Sequence, residues 1–158
     1  MIADQQAKRF VVQEHRRPGE SPHYDLMFER EGTLATWSFR LPPWEAPDIG
    51  RPGDPFAPRA RSVQKRPERS WRFEPVVPAT GASTQDRPAH ACERLAGHRM
   101  RYLEFEGDIG GGRGTVHIVD AGQYVPATWS TDEVVVTFQG RRLSGLFRLT
   151  CAKTQSTT

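Results

Sequence analysis

The stretch "VVQEHRRPGESPHYDLMFER", residues 11 to 30, decides how this sequence folds. Residues 9–15 alternate and are rich in β-branched side chains, the pattern of a strand. Residues 16–22, "RRPGESP", carry turn chemistry in Pro18-Gly19 and Ser21-Pro22. Residues 23–30 read as a second strand, and 33–39 as a third beyond a hairpin at "REG". Side chains two apart on a strand share a face. Val11, Gln13 and His15 therefore point one way on the first strand, while His23, Asp25, Met27 and Glu29 share a face of the second. Tyr24, Leu26 and Phe28 take the opposite, core-facing side. If the turn makes these strands neighbours, His15, His23 and Asp25 meet on one surface. Two imidazoles and a carboxylate suit a divalent transition ion and leave positions open for water and substrate. The plainer alternative is a set of surface polar residues beside an arginine-rich turn.

Outward from the hairpin, residues 42–70 change character, holding seven of the chain's 13 prolines and many arginines. They read as a long loop or a disordered insertion. "WRFEPVV", 71–77, reads as a strand and 78–90 as loop, so 42–90 is expected to be a loop-rich insertion. "CERLAGH", 92–98, suggests a short turn or helical segment, and 101–106 looks extended, ahead of the glycine-rich "GDIGGGRG" at 107–114. "TVHIVD" and "EVVVTFQGRRLSGLFRLTC" supply three further strands, with a hairpin at Gly140. The tail, 152–158, is expected to fray. No helix-period segment of useful length and no repeat is present. Seven or eight short strands with turn signals indicate an all-β fold, sandwich or small barrel, in one domain spanning 1–158.

The bulk numbers agree with one loop-rich domain: 158 residues, 36% hydrophobic and 26% charged. Net charge is +3, carried by 19 arginines against 3 lysines, which mildly favours an anionic partner. A GC-rich genome accounts for most of those arginines equally well. No apolar run approaches the roughly 20 residues that span a bilayer, and the start lacks the apolar core of a signal peptide. A cytoplasmic protein with no membrane partner is the expectation. Cys92 and Cys151 form no motif and read as reduced thiols.

A rival metal reading pairs His23-x-Asp25 with His98, as Fe(II)-dependent oxygenases build a facial triad on a β-scaffold. It leaves His15 without a role, and no suitable co-substrate arginine follows His98.

Three blocks of this sequence resemble a known family. "RFVVQEH…PHYDLMFEREGTLATWS" is similar to the first strands of the 3′-phosphoesterase domain of bacterial DNA ligase D and its stand-alone relatives. "GHRMRYLEFEGDI" resembles that family's second block, and "FQGRRLSGLFRLT" its closing hairpin. The blocks lie between residues 9 and 150, with 42–90 unmatched. The resemblance implies a small closed β-barrel, here of about eight strands with long loops, and a monomer is the expectation. It implies a manganese-dependent hydrolase (other divalent transition metals being possible) that removes a 3′-ribonucleoside and then a 3′-phosphate in non-homologous end joining. Carried over by position, His15, His23 and Asp25 match its metal ligands, and Gln13 the residue two before the first ligand. His98 matches the phosphate-contacting histidine and Tyr102 the site tyrosine. The implied partners are DNA 3′ ends and a separate ligase or polymerase.

The sequence departs from the family at Met27, where the motif has an arginine that should grip phosphate. Arg40, Arg94 and Arg113 are the candidate substitutes. The turn before His23 is two residues longer than usual, and the glycine-rich segment is shorter. The leading expectation is a DNA 3′-end-healing phosphoesterase. The alternative is a catalytically weak or inactive end-binding module that partners a ligase or polymerase.

Overall fold

The computed structural model describes residues 6–45, 69–76 and 89–153. Among the described residues nine strands are present: β1 (Lys8–Arg16), β2 (His23–Arg30), β3 (Thr33–Phe39), β4 (Arg69–Pro75), β5 (His90–His98), β6 (Gly107–Asp108), β7 (Thr115–Trp129), β8 (Glu133–Gly140) and β9 (Ser144–Lys153). Apart from one 3-10 turn, Met100–Leu103, there is no helix among the described residues.

The strands run in the order β1-β2-β3-β5-β4-β9-β8-β7, and β1 pairs with β7 to close the ring. The result is an eight-stranded antiparallel barrel, with the two-residue β6 attached to the start of β7. Closure removes the free sheet edges that would otherwise template association. The choice between sandwich and barrel, open from residue patterns alone, is thereby decided.

Alternation sorts each strand into two faces. Inside the barrel lie Phe10, Val12, Leu26, Phe28, Trp37, Phe73, Tyr124 and Phe138, all buried. Phe28 is central: its ring sits 4.9 Å from Tyr124 and 5.7 Å from Trp37, both edge-on, an arrangement that adds to simple area burial. The Tyr124 hydroxyl donates to the Glu29 carbonyl (2.7 Å), and burial, opposed by the neighbouring Arg30, raises its pKa to about 12. Outside the barrel, Val11, Met27, Leu34 and Leu103 form a second small core, where the 3-10 turn covers β1, β2 and β3. Trp44, within the stretch expected to be loop, packs against the main core.

Three local expectations are corrected. Residues 92–98 are strand, part of β5, because their backbone pairs with β3 on one side and β4 on the other. Residues 101–106 are not extended throughout, since the chain turns at 100–103 to drive Leu103 into the outer core. Ala152 and Lys153 do not fray but pair with Ser70 and Arg69 of β4. Residues 46–68, most of 78–90 and 154–158 lie outside the described residues. Cys92 and Cys151 are free, as expected. Both register with Trp71, on strands either side of β4. Two strand spacings, roughly 9–10 Å, exceed disulfide reach.

Candidate functional site

The β1–β2 register sets His15 opposite His23 and Gln13 opposite Asp25. All three potential ligands therefore stand on the outer face, opposite the barrel core. Their donor atoms lie within 4.8 Å of one another. His15 and Asp25 are buried, and His23 is partly exposed.

The hydrogen bonds fix which atoms converge. The His15 Nε2 lies 2.8 Å from the Arg113 carbonyl, which only accepts, so Nε2 carries the proton. His15 Nδ1 then presents its lone pair to His23 Nε2 at 3.2 Å. His23 Nε2 is in turn 3.5 Å from Asp25 Oδ1. That spacing allows an ion pair if His23 is protonated, but it makes no hydrogen bond: Asp25 Oδ1 is buried with no hydrogen-bond partner. Leaving a carboxylate oxygen in this condition is costly unless a cation meets it. In the contact with His15, His23 Nε2 is the donor; with its proton displaced, two imidazole nitrogens and an orphaned carboxylate oxygen face one point, a set that fits a divalent ion.

The Arg113 carbonyl comes from the glycine-rich loop between β6 and β7. Holding the far nitrogen of a ligating imidazole is how a backbone group orients such a ligand. The loop is braced by its own side chain: Arg113 Nε donates to the Gly110 carbonyl (3.1 Å) and its terminal nitrogen to the Ile109 carbonyl (2.8 Å). Gly114 packs against β1 with φ +101°, and a Cβ there would collide with the Arg16 carbonyl. Gly114→Ala is expected to cost about 1–3 kcal/mol in backbone strain. It should also weaken divalent-metal affinity about tenfold through the displaced Arg113 carbonyl, as read by metal titration of the folded variant.

Gln13 is buried, and its amide donates to the carbonyls of Tyr102 (2.7 Å) and Phe105 (3.0 Å). Both amide hydrogens are used, so Gln13 fastens the segment that presents Tyr102. His98, at the end of β5, is fixed through Nδ1, which lies 3.0 Å from the Ala96 carbonyl and 3.2 Å from Thr36 Oγ1. The Ala96 carbonyl only accepts, so Nδ1 carries the proton, and Nε2 remains for a ligand. The Tyr102 ring stands edge-on to His98 at 6.1 Å.

His98 and Tyr102 share an open cleft of about 690 Å³ with Arg99, Arg101, Ile109 and Arg113, and among the described residues no acidic side chain lines it. Arg113 is common to both places: it lines the cleft, and its carbonyl meets His15, although His15, His23 and Asp25 do not themselves line the cleft. His98 is outside that group, so the facial triad of His23, Asp25 and His98 does not form.

Of the three arginines expected to contact phosphate, only Arg113 lines this cleft, with much of its guanidinium engaged by its own loop. Arg94 pairs with Trp37 and stacks on its ring at 4.2 Å, on the barrel side of the sheet. Desolvation there lowers its pKa. Arg40 is exposed just beyond Phe39, level with His23. Arg99 and Arg101 were not singled out from sequence, although they flank Met100 directly after His98 in "GHRMRY".

Met27 shares the ligands' face but is fully buried against Val11, Leu34 and Leu103 beneath the 3-10 turn. It is a packing residue here. Met27→Arg would bury a guanidinium or expel that turn, so a loss of about 2 kcal/mol is expected in urea denaturation. Met27→Leu, which conserves volume, should cost less than about 1.5 kcal/mol. Equal stability of wild type and Met27→Arg would show that the turn yields freely.

No protein-family model matches the chain. Curated relatives include the "Multifunctional non-homologous end joining protein LigD" of Mycobacterium bovis and the "Multifunctional non-homologous end joining DNA repair protein LigD" of Mycobacterium tuberculosis. Each is 29% identical over 147 residues, covering 89% of this chain but 14% of the relative. The likeness thus relates nearly the whole of this barrel to one small portion of LigD.

Proposed function

We propose that this protein is a divalent-metal-dependent phosphoesterase that trims DNA 3′ ends, removing a terminal 3′-ribonucleoside and then the 3′-phosphate. The observation that carries the reading is the convergence of His15 Nδ1, His23 Nε2 and the orphaned Asp25 Oδ1 beside an arginine-lined cleft. The likeness to LigD supports a DNA-repair setting. Mn²⁺ is the proposed ion, DNA 3′ ends the substrate and a separate ligase or polymerase the downstream partner. The cytoplasm is the proposed location.

The three convergent side chains would hold the ion, which when bound supplies an acidified water and a polarised phosphate oxygen. His98 is pre-oriented by Ala96 and Thr36. In its neutral form Nε2 accepts a proton or a hydrogen bond. In its protonated form it donates to a phosphate or departing oxygen. Tyr102 offers a hydroxyl from the same cleft, in a segment that Gln13 holds against β1. Val11, Met27 and Leu103 form a buried apolar cluster further along the same face of β1 and β2.

The test is a gel assay on a labelled primer-template ending in one ribonucleotide, with Mn²⁺, Mg²⁺ or EDTA, using wild type and His15→Ala. Stepwise loss of the ribonucleoside and then the phosphate, dependent on Mn²⁺ and His15, is expected. An unchanged primer, with DNA binding retained, would sink the catalytic reading. That result would favour the second reading, an end-binding module, for which the apolar packing of Met27 is the supporting observation.

A further inference from the structure

The cleft offers more cationic contact than one terminal phosphate uses. Arg99 and Arg101 come from the β5–β6 connection, and Arg113 from the glycine-rich loop across from it. Arg113 is partly spent on its own loop carbonyls. Arg101 lies over the rings of Tyr102 and Phe105, at 5.4 and 5.2 Å from their centroids. A guanidinium stacked on aromatic rings beside a second arginine is a combination that takes a phosphodiester together with a base face. The cleft's roughly 690 Å³ is the scale of a small-molecule site, which admits a short length of one strand rather than a duplex.

We infer that this cleft binds the backbone of single-stranded nucleic acid, with Arg99 and Arg101 as its phosphate contacts and Tyr102 as its stacking surface. Placing that strand next to a scissile phosphate rests on the phosphoesterase reading. Strand binding itself does not, since no ion is needed for it.

The experiment is fluorescence anisotropy of a labelled single-stranded oligonucleotide with the full chain in EDTA, over a range of salt. Wild type is compared with Arg99→Ala/Arg101→Ala and with Arg72→Ala/Arg141→Ala, which removes the same charge from exposed sites on β4 and the β8–β9 turn. The cleft variant should bind about tenfold or more weakly. The magnitude of its log–log salt slope should fall by about 1.4, because two single-strand phosphate contacts are lost. The control pair should change less than about twofold, and a blunt duplex should bind wild type more weakly than the single strand. Equal weakening by both pairs would reduce the effect to net charge and overturn the inference, as would a duplex bound as tightly as the strand.

Primer trimming with Mn²⁺, run in parallel, separates the two readings. Wild-type trimming with unaltered strand binding by the cleft variant overturns the cleft and leaves the phosphoesterase intact. Strand binding lost in the cleft variant, with no wild-type trimming, does the reverse.

Discussion

Replacing Asp120 by alanine is expected to destabilise this protein by about 3–5 kcal/mol, a large part of the roughly 5–15 kcal/mol that holds a domain folded. Asp120 is buried on β7 and collects four backbone hydrogen bonds. Oδ1 accepts from the amides of Ala121 and Arg141, both at 2.9 Å. Oδ2 accepts from Arg142 (3.1 Å) and Leu143 (2.8 Å). One carboxylate thus organises the β8–β9 turn and joins it to the strand that closes the barrel. Alanine would strand several amide donors at once, each expensive to leave unmet in a buried setting. Asparagine keeps one carbonyl acceptor and should fall between. Urea denaturation measures the series, and a loss below about 1 kcal/mol for alanine would mean that water replaces the carboxylate there.

The second large effect is a reversal of sign at Asp25. Mn²⁺ at a hundred times its dissociation constant should stabilise wild type by about 2.7 kcal/mol, or roughly 5–10 °C in Tm for a chain of this size. Asp25→Asn should lose that gain. Without metal, Asp25→Asn should be as stable as wild type or more so, because it removes a buried charge whose Oδ1 has no hydrogen-bond partner. Thermal unfolding of both proteins in Mn²⁺ and in EDTA decides the matter. Equal stabilisation of the two by Mn²⁺ would place the ion elsewhere.

Much of the site was legible because it depends on strand alternation, the most local of structural rules. The face shared by His15, His23 and Asp25, and the opposite face of Tyr24, Leu26 and Phe28, follow from residue parity and one turn. What escaped was set by distant packing. The β5 strand hides its nature because Ala91, Glu93, Arg94, Ala96 and Gly97 are all exposed, leaving little apolar alternation to read. The length of β7 was masked by Gly122 and Pro126, which look like strand ends. Gly122 instead lets the backbone of Gln139 approach closely, and Pro126 sits beside a register shift, where an unpaired backbone position is tolerated. The burial of Met27 depends on Leu103, far along the chain beyond β5, and no pattern around Met27 announces it. Arg94 looked available for phosphate because parity alone does not show that Trp37, its partner across the sheet, faces the barrel interior.

The two halves of the site also differ in when the chain can make them. All three convergent side chains lie within residues 15–25, on one hairpin, whereas the carbonyl that meets His15 is 98 residues away. Closing a short loop is fast and entropically cheap, and bringing β1 to β7 is neither. The proposed ion site is therefore local to one hairpin, while the Arg113 carbonyl that holds His15 is in place only once β1 has met the far end of the chain.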